Sequence, residues 1–183
     1  MTDATNAPQL ERFLTRDQIQ QRVEELGAEI SREFSGRTVV LVAVLKGATI
    51  FLADLARAIS LDCAFDFINV ASYGSNQKSS GAVRLVRNLE QKIEGKNVLL
   101  VEDILDTGVT LGYLKNLLLT QQPAILKTVT LLDKPSRRLQ NFEADYVGFT
   151  IPDRFVVGYG MDANERYRNL PDIYFVPSDI QEK

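Results

Sequence analysis

The residues best suited to chemistry lie in one short run, residues 98–110, near the middle of the sequence. The run opens with four apolar residues, which are typical of a buried strand in a parallel sheet. Two adjacent carboxylates, Glu102 and Asp103, follow where we predict that strand to end, and Asp106 comes shortly after them. Carboxylates placed in this way can accept hydrogen bonds from sugar hydroxyls or hold a divalent cation.

The same run continues with residues 107–110, just before an apolar-periodic helix that we predict over residues 109–119. Loop amides and the N-terminus of such a helix can bind a phosphate without a lysine. An ordinary alternative is a strand that ends in solvated acids, followed by a helix cap at Asp106 or Thr107. The two carboxylates alone leave both interpretations open, and the whole ordered run favours a site for a polyol and a phosphate.

The absence of histidine restricts the possible chemistry. The sequence contains none, so histidine-dependent catalytic triads and histidine-ligated zinc or iron are excluded within one chain. A general acid or base must then be Asp, Glu, Lys, Tyr or Cys, and a metal would be a hard cation such as Mg²⁺ on oxygen ligands. The single cysteine, Cys63, permits no internal disulfide and predicts a cytoplasmic protein.

Length and composition predict one globular domain over residues 1–183, with 45% hydrophobic and 25% charged residues. The net charge of −3 argues against binding to nucleic acid or to a membrane surface. No apolar run is long enough to span a membrane, and the N-terminus does not resemble a signal peptide. Because this charge would repel a substrate with several phosphates, loop amides, metal ions and a few placed Lys or Arg must supply local positive potential.

The elements that must position these residues alternate along the chain. Two further helices are predicted over residues 16–34 and 50–59. Strands are predicted over residues 38–45, 63–70, 83–86, 98–102, 127–132, 146–150, 156–159 and 173–176. Such alternation predicts an α/β fold, with a mostly parallel sheet covered by helices on both faces.

In such sheets, ligands bind beyond the carboxyl ends of the strands. This rule brings five separate segments to one crevice, namely residues 46–47, the loop from Ser72, residues 102–110, Lys134 and residues 155–168. Each segment alone also fits an ordinary structure, such as a tight turn, a loop tip, a solvated lysine or a core aromatic. The loop from Ser72 is also what a reaction needs if water must be excluded after the substrate binds.

Five stretches, taken together and in order, resemble the type I phosphoribosyltransferases and, among them, the hypoxanthine or hypoxanthine-guanine enzymes. They are Leu45-Lys46-Gly47, Ser72-Tyr73-Gly74, residues 101–110, Asp133-Lys134-Pro135 and residues 151–162. The resemblance covers about residues 10–176, and the last stretch narrows it to enzymes for 6-oxopurines. It implies a mostly parallel central sheet flanked by helices, with a small hood formed by terminal segments.

The resemblance also implies which residues bind the first substrate, phosphoribosyl pyrophosphate. They are Lys46, Gly47, Glu102, Asp103, Asp106, Thr107, Gly108, Val109, Thr110 and Arg168. Glu102 and Asp103 would bind the ribose hydroxyls and help to hold Mg²⁺, and Asp162 would hold a second Mg²⁺. The residues from Thr107 on would bind the 5-phosphate, while Lys46 would meet the pyrophosphate. Val109 stands where some relatives have lysine.

The second substrate, a 6-oxopurine, is implied to bind at Lys134, Phe155, Val156 and Asp162. Phe155 would stack on the ring, and the Val156 backbone would bond its edge. Lys134 would donate to the exocyclic O6, which selects 6-oxo over 6-amino purines. Asp106 would take the proton from the purine N7 as general base, although a role in stabilising charge alone stays open.

The implied reaction transfers the phosphoribosyl group to N9 of hypoxanthine, and also of guanine, and releases pyrophosphate. The flexible loop with Ser72 and Tyr73 would exclude water during the transfer. The resemblance further implies a cis peptide between Leu45 and Lys46 and assembly into a homodimer or homotetramer. Two alternatives stay open: a regulator that senses nucleotides or binds RNA, and a related transferase for xanthine, guanine or a pyrimidine.

Overall fold

The computed structural model describes residues 10–72 and 83–177. In chain order its elements are β1 (Glu11–Leu14), α1 (Arg16–Glu33), β2 (Val39–Val44), α2 (Thr49–Ala58), β3 (Cys63–Ser72), β4 (Val83–Arg87), β5 (Asn97–Leu105), α3 (Val109–Leu119), β6 (Ile125–Asp133), β7 (Tyr146–Thr150), β8 (Val156–Val157) and β9 (Ile173–Phe175). A single 3-10 turn, Pro135–Arg137, follows β6. Every predicted helix and strand is present, and β1 is an element that the sequence pattern did not predict.

Two sheets organise these elements. The larger one has the strand order β4-β3-β2-β5-β6-β7 and is parallel except for β4, which pairs antiparallel with β3. The smaller one, β1-β9-β8, is antiparallel and joins the two ends of the described chain. The predicted α/β fold, with a mostly parallel sheet and a hood from terminal segments, is therefore confirmed.

Strand β2 shows how the larger sheet is buried on both faces. Its six residues are all buried, and alternate side chains enter two different core clusters. Val39, Leu41 and Ala43 pack with α1 and α2, whereas the residues between them pack with α3. Each fully buried Leu or Val contributes about 1.5–3 kcal/mol relative to an exposed one. No helix in the described ranges combines the length and the apolar character that a membrane crossing requires.

The ends of β5 and β8 differ from the predictions. β5 continues three residues past the predicted end at Glu102, because β6 stays in register with it as far as the pair Leu105↔Asp133. β2 pairs with β5 only up to Val101, so the acidic pair lies on a strand edge that β2 leaves open. β8 ends at Val157 because the next three residues have φ values of 99°, 50° and 101° and turn the chain away.

Candidate active site

The acidic pair Glu102 and Asp103 lies on β5 where the neighbouring strand β2 has already ended. Glu102 is buried, and its pKa is raised well above the usual range by burial and by the charge of Asp103. Burial also raises the pKa of Asp103. A buried carboxylate beside a second, partly buried one is unfavourable unless a cation or hydroxyl donors reach them. The pair therefore fits both parts of its predicted role, a sugar and a hard cation.

The donor set fits Mg²⁺ better than a cation that needs a protein cage. In the part of the chain that the structure describes, no three acidic, histidine or cysteine side chains converge as a metal site. Mg²⁺ commonly binds through one or two carboxylates and takes its other ligands from water and substrate phosphates. Glu102 and Asp103 would supply those two carboxylates.

The turn after β2 lies directly against this pair. The peptide bond between Leu45 and Lys46 is cis, as predicted. A Cβ atom on Gly47 would lie only 1.7 Å from Oδ2 of Asp103, so the carboxylate occupies the space that a side chain at this position would need. Only glycine permits this contact, which keeps the backbone of the turn beside the predicted sugar and cation site.

We expect Gly47→Ala to lower kcat/KM for phosphoribosyl pyrophosphate by about 10²-fold, because the added methyl group displaces the turn or Asp103. Steady-state kinetics on the purified variant measure this. Gly36→Ala is the matched control, since Gly36 has φ +74 but no atom lies within 4 Å of an added Cβ. The control should lose about 1–2 kcal/mol of stability through backbone strain alone. It should keep wild-type kinetics, and equal kinetic losses in the two variants would contradict this account.

The phosphate loop, residues 107–110, connects β5 to α3. The helix begins after Gly108, whose φ of 81° and missing side chain leave the helix without a side-chain cap. The amide of Val109 makes only a long bond of 3.4 Å to the Thr107 hydroxyl. The ordinary alternative, a helix cap at Asp106 or Thr107, is therefore wrong. The first amides of α3 stay available, which favours the predicted anion site.

A cleft of about 180 Å³ gathers most of these groups. It is lined by Val44, Glu102, Asp103, Ile104, Leu105, Asp106, Thr107, Gly108, Thr110 and Leu111. Val109 is the one loop residue predicted to bind the phosphate that does not line it. The sugar side and the phosphate side of the predicted site are thus parts of one cleft.

A second, larger cavity of about 630 Å³ shares Asp106 with this cleft. Its lining residues are Asp106, Lys134, Arg137, Asp153, Arg154, Phe155, Val176 and Pro177. Asp106 lines both cavities, so this residue is shared by the cleft for sugar and phosphate and by the space that holds Lys134 and Phe155. This is the position that a general base for the second substrate requires.

Lys134 and Phe155 differ in exposure in a way that suits their predicted roles. Lys134 is only 5% exposed, and its backbone amide donates to the Leu105 carbonyl at 2.9 Å. Burial lowers the pKa of its ammonium, while the charges of Asp106 and Asp153 act in the opposite direction. Phe155 is 40% exposed on the cavity wall, so its ring is accessible for stacking.

Val156 does not line this cavity, because its side chain is buried in the core and its backbone pairs with Phe175. Arg137 was not predicted as a site residue, yet its Nε donates to Asp106 at 3.0 Å and its Nη1 lies 3.7 Å from Asp153. The guanidinium and a bound purine would compete for the Asp106 carboxylate. Pro135, which opens the turn after Lys134, was the only sequence signal for this placement.

Lys46, Asp162 and Arg168 come together through Glu165, a residue that the sequence analysis did not single out. Glu165 pairs with Lys46 at 3.1 Å and with Arg168 at 3.4 Å. Asp162 accepts from the Glu165 amide at 2.8 Å and pairs with Arg168 at 2.7 Å. Nε of Arg168 is buried and has no hydrogen-bond partner within the described ranges. This spare donor suits the predicted contact with pyrophosphate.

Asp162 lies against Arg168 and does not line the purine cavity, so its predicted contacts with the purine and with Mg²⁺ stay predictions. Ser72 ends β3, where its backbone pairs with Val83 of β4. Tyr73, the other residue predicted for the flexible loop, lies outside the described residues.

Tyr159 connects helix α2 to the loop that contains Asp162. Its hydroxyl donates to Asp54 at 2.6 Å, and its amide donates to the Leu170 carbonyl at 2.8 Å. The next residue, Gly160, packs on the turn after β2, since a Cβ on Gly160 would lie 2.1 Å from the Gly47 carbonyl oxygen. The two sides of the predicted pyrophosphate site are therefore held together by contacts that a side chain on Gly160 would break.

We expect Tyr159→Phe to destabilise the protein by about 1.5–3 kcal/mol, because it removes a buried hydrogen bond to a charged group. The KM for phosphoribosyl pyrophosphate should rise as the loop loosens. Denaturant unfolding and steady-state kinetics check the two effects. Tyr113→Phe, which removes a hydroxyl from α3, is the matched control. If Tyr159→Phe unfolded at the same denaturant concentration as the wild type, the hydroxyl of Tyr159 would not stabilise the protein in this way.

Comparison with known proteins agrees with this geometry. Residues 10–164 match the family described as the phosphoribosyl transferase domain. The hypoxanthine-guanine phosphoribosyltransferase of Aquifex aeolicus is 49% identical over 168 residues, which cover 91% of this chain and 94% of that protein. A crystal structure of a hypoxanthine phosphoribosyltransferase from Staphylococcus aureus superposes with a TM-score of 0.91 at 42% identity, covering 100% of both chains.

Another relative is much longer than this chain. The bifunctional protein TilS/HprT of Listeria monocytogenes is 46% identical over 168 residues, which are 92% of this chain but 26% of that protein. The chain thus spans about a quarter of the length of this relative. The fold, the clustering of the predicted groups and the family match agree, and the chain belongs to the phosphoribosyl transferase family.

Proposed function

We propose that the chain transfers the 5-phosphoribosyl group of phosphoribosyl pyrophosphate to N9 of hypoxanthine, and also of guanine, forming IMP or GMP and pyrophosphate. One observation carries the proposal. Asp106 lines both the cleft for sugar and phosphate and the cavity that contains Lys134 and Phe155. A group in this position can serve both substrates in one transfer. The names of the relatives support the same activity.

In the proposed reaction, N9 of the purine forms a bond to the anomeric carbon as the bond from that carbon to pyrophosphate breaks. The purine must lose the proton on N7, and Asp106 accepts it. Asp106 carries this role because the chain has no histidine and its carboxylate reaches the purine cavity. Arg137 releases the carboxylate as the purine enters.

Each end of phosphoribosyl pyrophosphate has its own set of groups. The amides and hydroxyls of residues 107–110 bind the 5-phosphate, and Glu102 with Asp103 bind the ribose hydroxyls. Lys46, Gly47 and Arg168 meet the pyrophosphate. Glu165 neutralises Lys46 and contacts Arg168 without substrate, so the pyrophosphate replaces one carboxylate with a group of higher charge.

Mg²⁺ is the proposed cofactor, held by Glu102 and Asp103, and Asp162 is the candidate for a second ion. When bound, Mg²⁺ neutralises charge on the departing pyrophosphate. Glu102 and Asp103 would supply carboxylate oxygens as ligands at the edge of β5, next to the Gly47 turn.

Three further expectations concern partners and setting. We propose a single domain over residues 1–183, a homodimer or homotetramer, and a cytoplasmic location without nucleic-acid or membrane partners. The charge of −3 supports the absence of nucleic-acid and membrane partners, and the single cysteine supports the cytoplasmic location. The same charge gives no support to an RNA-binding regulator, and a transferase for xanthine differs from the proposal only in its base.

The test is the stoichiometry of the reaction. With phosphoribosyl pyrophosphate, Mg²⁺ and hypoxanthine, the protein should release pyrophosphate and IMP in equal amounts, and chelation of Mg²⁺ should stop both. The double variant Glu102→Gln, Asp103→Asn should need more Mg²⁺ for half-maximal rate. Pyrophosphate release that does not depend on hypoxanthine would indicate hydrolysis and overturn the proposal.

A further inference from the structure

Arg138 is a largely buried arginine beside the site, with 17% of its side chain exposed. One of its nitrogens, Nη1, faces three backbone carbonyl oxygens, those of Leu105 at 3.0 Å, of Asp106, and of Lys134 at 3.3 Å. The guanidinium therefore touches the backbone of Asp106 and Lys134, two residues that line the proposed purine cavity. The guanidinium makes these contacts from outside the two cavities, since Arg138 lines neither the phosphate cleft nor the purine cavity.

The remaining nitrogens of Arg138 hold the guanidinium in place. Nη2 pairs with the carboxylate of Asp133 at the end of β6, and Nε donates to the Phe142 carbonyl at 3.1 Å. A guanidinium offers five donors in a rigid planar fork, so one side chain can bind this set of acceptors. A lysine ammonium has three donors on a flexible stem and cannot reproduce it.

The segment that begins at Arg138, residues 138–142, also supports the phosphate loop; we name it the buttress segment. The Thr107 carbonyl accepts from the amides of Leu139 at 2.9 Å and Gln140 at 3.3 Å. A Cβ on Gly108 would lie 3.2 Å from Cβ of Phe142 and 3.3 Å from Cδ of Arg138. The loop that we assign to the 5-phosphate thus rests on the same segment as the residues that we assign to the purine.

We propose that Arg138 is a positioning residue that fixes Asp106, Lys134 and the phosphate loop in one geometry. The inference rests on the proposed function, because it assigns Arg138 to the reaction through Asp106 and Lys134. Without the guanidinium, three carbonyls lose a donor, and the pairing of β5 with β6 is left to hold the backbone of Asp106 and Lys134 alone. A displacement of about 1 Å at such a position can reduce a rate about 10²-fold without loss of the reacting groups.

The test compares Arg138→Met with Asp133→Asn and with Arg32→Met. Arg138→Met removes all the guanidinium contacts, whereas Asp133→Asn removes only the ion pair and leaves the contacts to the three carbonyls. Arg32 is exposed in the last turn of α1 and controls for loss of an arginine far from the site. All rates are expressed per folded protein, with the folded fraction taken from thermal unfolding followed by circular dichroism.

We expect Arg138→Met to lower kcat about 10²-fold and to raise the KM for hypoxanthine. Asp133→Asn should lower kcat less, although it too reduces the unfolding temperature, and Arg32→Met should match the wild type. Arg138→Lys should recover only part of kcat. A role in stability alone changes the folded fraction but neither KM nor kcat per folded protein. That result, or equal kinetic losses in Arg138→Met and Asp133→Asn, would overturn the inference. An inactive wild type would instead overturn the proposed function.

Discussion

Asp106→Asn should lower kcat for hypoxanthine by about 10²–10⁴-fold, the usual contribution of a positioned general base. The amide cannot accept the N7 proton, yet it keeps the size of the carboxylate and can still bond to Arg137. Substrate binding should therefore change much less than kcat. Steady-state kinetics and calorimetric binding of phosphoribosyl pyrophosphate to the same variant measure the two effects separately.

Asp153→Asn is the matched control for this change. Asp153 lines the same cavity and also faces Arg137, but its side chain is 51% exposed and it does not line the phosphate cleft. Its replacement should leave kcat within a few-fold of the wild type, as expected for an exposed ion pair. If Asp106→Asn kept the kcat of this control, Asp106 would not be the base.

Lys134→Met should lower kcat/KM for hypoxanthine by about 10²–10³-fold, the cost of removing one partner of a buried charged hydrogen bond. The kcat/KM for adenine should fall far less, because the Lys134 ammonium and the adenine amino group are both donors and form no hydrogen bond. The preference for hypoxanthine over adenine should therefore shrink. Competition between the two bases for one limiting amount of phosphoribosyl pyrophosphate measures this preference directly.

The same variant gives a signature in pH. Because burial lowers the pKa of the Lys134 ammonium, wild-type kcat/KM for hypoxanthine should fall on the alkaline side at a pH below the ordinary range of lysine. Methionine has no proton to lose, so this alkaline limb should be absent in Lys134→Met. Since methionine also carries no buried charge, the variant should fold at least as well as the wild type. An unchanged base preference would contradict the selecting role.

The sequence predicted those parts of the site that depend on topology. The rule that ligands bind at the carboxyl ends of parallel strands placed Asp106 and Lys134 together, although they are far apart in the chain, and the structure brings both to one cavity. The bounds of α3 and β7 also agree with the structure. Local pattern and global topology point the same way in these elements.

The contacts between arginines and carboxylates could not be predicted in the same way. Arg137 and Arg138 follow each other in a polar stretch, and Glu165 lies among other polar residues, so all three read as solvated surface charges. Their positions depend on the 3-10 turn and on positive φ values in the loop around Glu165. The true end of β5 was missed for a related reason, since pairing with β6 extends it and no residue in β5 marks the end.

The most direct test of the account is a steady-state assay of the wild-type protein with phosphoribosyl pyrophosphate, Mg²⁺ and five bases in parallel: hypoxanthine, guanine, xanthine, adenine and uracil. We predict turnover of hypoxanthine and guanine, with adenine and uracil inert, because Lys134 selects a 6-oxo group next to Asp106. Turnover of adenine at a rate comparable to hypoxanthine, or of no base at all despite binding of phosphoribosyl pyrophosphate, would contradict it.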